Sequence, residues 1–98
     1  MIVEHALLHV IPHRTDEFET AFADAKSIIS SMPGFVNLTL SQGIEQPNTY
    51  LLLVKWERLE DHIDGFRGSH EYQQWKALLH HFYDPFPVVE HFAPMYEA

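Results

Sequence analysis

The stretch Tyr50-Leu51-Leu52-Leu53-Val54-Lys55-Trp56 is apolar in both of its alternating sets. Tyr50, Leu52, Val54 and Trp56 point one way, and Leu51 and Leu53 point the other. A chain of 98 residues carries enough helix to cover one face of its sheet, so the second apolar face needs another cover. The economical cover is a second copy of the chain. Trp56 closes this strand and is placed to form one wall of a pocket.

With 46% hydrophobic residues, the chain reads as a single domain over residues 1–98 with one core. It contains no cysteine, which removes disulfides, thiolate metal sites and a cysteine nucleophile together. A formal charge of -8 argues against nucleic acid as a partner, because phosphate binding requires a basic surface. No run approaches the ~20 apolar residues of a membrane span, and the N-terminus enters an alternating pattern at once. The expectation is a soluble cytoplasmic protein without a membrane partner.

Residues 2 to 11 alternate between Val3, His5, Leu7, His9, Ile11 and Ile2, Glu4, Ala6, Leu8, Val10, which predicts a strand ended by Pro12. Thr15 is the expected N-cap of a helix whose stripe is Phe18, Phe22, Ala25, Ile29 and Met32, and Pro33-Gly34 stops it. Residues 35 to 42 and 50 to 56 form a hairpin. A short helical piece from Glu60 puts His62 and Phe66 on one face at i, i+4. Gly65 and Gly68 break it. Ser69 then caps a second helix whose stripe is Tyr72, Trp75, Leu79 and Phe82, and residues 87 to 93 give a last strand. This β-α-β-β-α-β order is the α+β, ferredoxin-like arrangement, and right-handed crossovers fix its antiparallel four-stranded sheet in the order 4-1-3-2.

The element order, the Trp56-Glu57 ending of the third strand, His62 six residues later, and Gly68-Ser69-His70-Glu71-Tyr72 opening the last helix resemble the antibiotic biosynthesis monooxygenase family. The resemblance implies a homodimeric α+β barrel. It also implies either cofactor-free oxidation of a quinol or degradation of haem, since the family holds both chemistries.

Eight histidines invite a metal site, but His5 and His9 on one strand face stand ~13 Å apart, too far to share an ion. His80 and His81 diverge by about 100° around a helix. The expectation is therefore no metal and no cofactor, with His91 beside the first strand the one cross-element exception. A pocket between sheet and helices is the alternative use. Its expected substrate-binding residues are His5, His9, Trp56, Phe66, Tyr72, Trp75 and Leu79, an aromatic lining suited to a small aromatic molecule. The competing reading makes the same aromatics plain core.

No GxGxxG or P-loop is present. By the resemblance, the reaction is cofactor-independent monooxygenation of a phenolic or quinol-type compound, which needs a general base, and histidine suits that task. His62 is the first candidate, followed by His70 and His81; for His70 the first turn of the helix capped by Ser69 is the preferred reading. In the haem-degrading branch, the family's Asn falls at His5, its Trp at Phe66 and its axial His near Trp75. All three differ, which leaves His80, His81 or His5 as replacement ligands. A non-redox binding or isomerase module is the third reading. Arg67 and Lys76 read either as steering charges or as surface ion pairs with Glu71 or Asp64.

Overall fold

A computed structural model describes residues 1–98. Strand β1 (Ile2–His9), helix α1 (Thr15–Ser30), β2 (Phe35–Gln42) and β3 (Thr49–Trp56) follow in order. A wide π-helical turn (Asp61–Phe66), helix α2 (His70–Leu79), a 3-10 turn (His80–Phe82) and β4 (Val89–Phe92) complete the chain. The sheet runs β2-β3-β1-β4 with every pair antiparallel, the order that right-handed crossovers require. The ferredoxin-like α+β fold is therefore as expected.

Helix α1 buries Phe18, Phe22, Ala25 and Ile29, a stripe at steps of four, three and four. Its start differs from expectation: Thr15 is already helical, and Arg14 precedes it without a side-chain cap. Asp16 and Glu17 in the first turn favour this end of the helix through the dipole instead. Gly34, at φ 84°, turns the chain into β2; a side chain there would run into the carboxyl of Asp61. Ser69 caps α2 by accepting the Tyr72 N–H at 3.1 Å, as its sequence position indicates.

Both helices lie on one face of the sheet. On that face β3 buries Tyr50, Leu52, Val54 and Trp56. The register opposes them to Leu8, Ala6, Glu4 and Ile2 of β1, and directly opposed residues share a face. The helix-facing set of β1 is therefore Ile2, Glu4, Ala6 and Leu8. Val3, His5, Leu7 and His9 lie on the open face with Leu51 and Leu53. No helix is long and apolar enough to cross a membrane.

Candidate functional site

Of the buried residues, Glu4 and His62 alone are polar or charged, and they are in contact with each other. Glu4 is delivered by β1 into the helix-facing layer. His62 comes from the π-helical turn, where the Arg67 N–H donates to the His62 carbonyl five residues back. This widened turn aims both His62 and Phe66 inward, the use to which π-bulges are often put at functional sites. Glu4 Oε1 accepts the Trp56 Nε1–H at 3.0 Å and lies 3.2 Å from His62 Nε2. On the other side of the ring, His62 Nδ1 lies 2.8 Å from Nε2 of His91, which β4 places opposite Glu4. Trp56 stacks on the imidazole at 5.5 Å with 20° between planes.

The Glu4–His62 contact is not a carboxylate–imidazolium pair. Burial, then the nearby Arg67 cation and His91, push His62 down to about 3. Burial also raises the Glu4 carboxyl, opposed by the Trp56 N–H and by Arg67. A neutral imidazole carries one proton, so the row has two consistent arrangements. Either His62 donates through Nε2 to the Glu4 carboxylate and accepts from His91, or a protonated Glu4 donates to Nε2 and His62 donates to His91. His91 is itself lowered by burial and by Arg67. With Glu4 on one side of the His62 ring and His91 on the other, the three residues form a polar row. They do not converge on a common point as metal ligands would.

Glu4 and His62 reach the wall of a cavity of about 340 Å³. Ala6, Leu8, Leu52 and Val89 supply its sheet side, while Phe66, Tyr72 and Trp75 face them from the helices. Phe66 meets Tyr72 and Trp75 edge-on at 5.3 and 5.8 Å. Arg67, His80, Tyr83 and Phe86 complete the lining. Both Glu4 contacts fall on Oε1, so Oε2 is the carboxyl oxygen left to the cavity. Burial and Lys76 lower His80.

The expected site residues are thus divided. Phe66, Tyr72, Trp75 and His62 line the cavity. Trp56 is wholly buried beneath it, and Leu79 is sealed in the core. His5 and His9, expected inside, lie on the opposite face, where they border a separate groove of about 250 Å³ with Leu7, Phe86 and Glu90. The reason is strand parity: the Ile2-to-Val10 set pairs with the bulky side of β3, and a one-residue choice of phase exchanges the faces. His70 and His81 are exposed, and His80 faces the cavity in place of His81. The expected ion pairs of Arg67 and Lys76 with Glu71 or Asp64 do not form; the pairs present join Arg14 to Glu17, Lys55 to Glu97 and Arg58 to Asp61. Glu4 is absent from the expected site residues; a carboxylate within an otherwise apolar strand set was the available signal.

The family model for antibiotic biosynthesis monooxygenase matches residues 1–78. The chain is 58% identical over 92 residues to the uncharacterized protein YczJ of Bacillus subtilis, spanning 94% of this chain and 97% of that protein. It is 32% identical to a Bordetella bronchiseptica protein whose crystal structure carries the same family name, with a TM-score of 0.92 and 97% of each chain covered. SnoaB of Streptomyces nogalater, a cofactor-independent oxygenase, shares the fold at 20% identity, with a TM-score of 0.77 over 98% of this chain and 92% of that one. With most of its length matched by that model, and with its fold shared over 97% of a 32% identical relative, the chain belongs to the antibiotic biosynthesis monooxygenase family.

Proposed function

We propose that this chain is a cofactor-independent monooxygenase acting on a small phenolic or quinol compound, bound in the cavity between sheet and helices. The observation that carries the reading is the buried Glu4–His62–His91 row opening on an aromatic cavity. SnoaB lends the reaction type by fold alone. Glu4 takes the substrate hydroxyl proton on Oε2, while His62 Nε2–H and Trp56 Nε1–H hold Oε1. A carboxylate raised by burial is a stronger base than a solvated one and sits nearer the pKa that proton transfer at neutral pH favours. His62, with both nitrogens occupied, is the positioning residue. The electron-rich anion then reduces oxygen: one oxygen atom enters the ring, the other leaves as water, and a hydroquinone becomes a hydroxyquinone. The haem reading is weaker, since Phe66 and Trp75 stand where the family's Trp and axial His fall and His5 is on the other face.

The active form in this proposal is a homodimer. Leu7 (43% exposed) and Phe92 (51% exposed) lie on the open sheet face. Beside them His5 Nδ1 is buried without a hydrogen-bond partner. A second copy would cover these apolar groups and supply that partner.

Oxygen uptake with a hydroquinone panel tests the reaction, with Glu4→Gln expected to lower turnover by ~10²–10⁴-fold. Ligand binding without oxygen consumption would leave the non-redox binding or isomerase role.

A further inference from the structure

Arg67 lines the cavity yet takes part in none of the chain's ion pairs. Lys26 and Lys76 are likewise unpaired, but of the three Arg67 is the one that lines this cavity. Arg67 lies close enough to Glu4, His62 and His91 to shift all three. A second observation is independent of Arg67. Tyr83 is only 7% exposed and lines the same cavity, but its hydroxyl makes no hydrogen bond within the chain. The hydroxyl oxygen is reachable from solvent rather than sealed in the core, so it is open to a ligand in the cavity. The cavity therefore presents a base at Glu4 Oε2, a hydroxyl at Tyr83 and a guanidinium in no ion pair, with an apolar wall between.

We propose that the ligand of this cavity is a hydroxylated aromatic acid, whose ring lies against Phe66 and Trp75, whose ionisable hydroxyl meets Glu4, and whose carboxylate pairs with Arg67. The anionic group is the element beyond the general phenolic class, and the proposal rests on the cavity being the substrate site. Guanidinium and carboxylate match as a planar, charge-assisted pair. A neutral quinol of the same shape would leave Arg67 uncompensated.

The test is calorimetric titration of 2,5-dihydroxybenzoate against its carboxamide, two rings of nearly the same size that differ by one charge. Wild-type protein is expected to bind the acid ~10–100-fold more tightly, the usual worth of a charged hydrogen bond. Arg67→Gln should abolish that ratio and Arg67→Lys retain part of it. Lys26→Gln removes another cation without an ion pair, on α1 outside this cavity, and should leave the ratio unchanged. Equal affinity for acid and amide, or a ratio that survives in Arg67→Gln, overturns the anion site. Oxygen uptake measured in parallel separates the two readings. Discrimination that depends on Arg67 without oxygen consumption keeps the acid site and removes the monooxygenase, whereas consumption without discrimination does the reverse.

Discussion

His62→Phe is the perturbation that most directly examines the buried row. Its ring would remain between Trp56 and Phe66, against which the imidazole now stacks at 5.5 and 6.4 Å. In the unfolded chain the imidazole titrates near 6.5, and in the folded chain near 3. The folded-state value is the lower one, so the unfolded state binds the extra proton. The contribution of His62 to stability is therefore complete above pH 6.5 and is lost as pH falls toward 3. At 1.36 kcal/mol per pKa unit this amounts to ~5 kcal/mol across the interval. That is a ceiling, because the Glu4 carboxyl 3.2 Å away would neutralise part of an imidazolium forced into the site. Glu4, whose pKa is raised, works with the opposite sign, losing stability as pH rises above the ordinary carboxyl range. Subtracting the profile of His62→Phe from that of wild type isolates the histidine. Urea unfolding at half-unit steps from pH 4 to 8 should give a difference that slopes by ~1.4 kcal/mol per pH unit below 6.5 and is flat above it. Parallel profiles would refute the placement of a neutral, desolvated imidazole between Glu4 and His91.

Two further outcomes separate core from site and monomer from dimer. Trp56→Ala is expected to cost ~3–5 kcal/mol in denaturant unfolding while leaving ligand affinity nearly unchanged, because the indole is 0% exposed and lies beneath the cavity; a stable variant that no longer binds would return Trp56 to the pocket wall. Leu53→Glu on the open face is expected to convert a species of about twice the 11.4 kDa chain mass into monomer in sedimentation experiments, and a wild-type monomer would remove the dimer.

Most of the fold was legible because it rests on periodicities that single segments carry. The steps of α1, the alternation of β3 and the Ser69 cap each identify their element locally, and the right-handed crossover rule then leaves one strand order. Which face of β1 meets the helices is a different kind of fact. It is a parity set by pairing with β3, and β1 alone offers two partly apolar sets. Composition held a clue: Ile2, Ala6, Leu8 and Val10 are four apolar residues around one carboxylate, whereas Val3, Leu7 and Ile11 alternate with two histidines. The more apolar set goes under the helices. Seeking polar groups for a pocket favoured the histidines and so inverted the strand, which carried Glu4 out of view. His62 and Phe66 were recoverable because their i, i+4 spacing survives in the wide turn. The place of His91 beside β1 was expected, but its contact with His62 was not, since that contact spans 29 residues and exists only after β4 has docked beside β1.

Glu4 itself then decides whether the row serves the fold or the reaction. A residue kept for folding should be costly to replace, and Glu4→Gln offers a replacement of the same shape. The amide oxygen can still accept the Trp56 Nε1–H, and the amide can still meet His62 in one of its tautomers. What disappears is a carboxyl group that burial disfavours in its charged form. Because its folded-state pKa is raised, Glu4 is no burden below the unfolded value of 4.5, where both states are neutral, and becomes one as pH climbs through the folded value. Glu4→Gln is accordingly expected to match wild type in stability at pH 4 and to equal or exceed it at pH 7 to 8, while turnover falls. Unfolding curves at the two pH values, set beside oxygen uptake, measure both halves. If the variant instead lost more than ~2 kcal/mol at neutral pH, on the scale of a buried hydrogen-bond partner removed, the carboxylate would be holding the sheet to the π-helical turn, and the base would have to be sought elsewhere in the cavity.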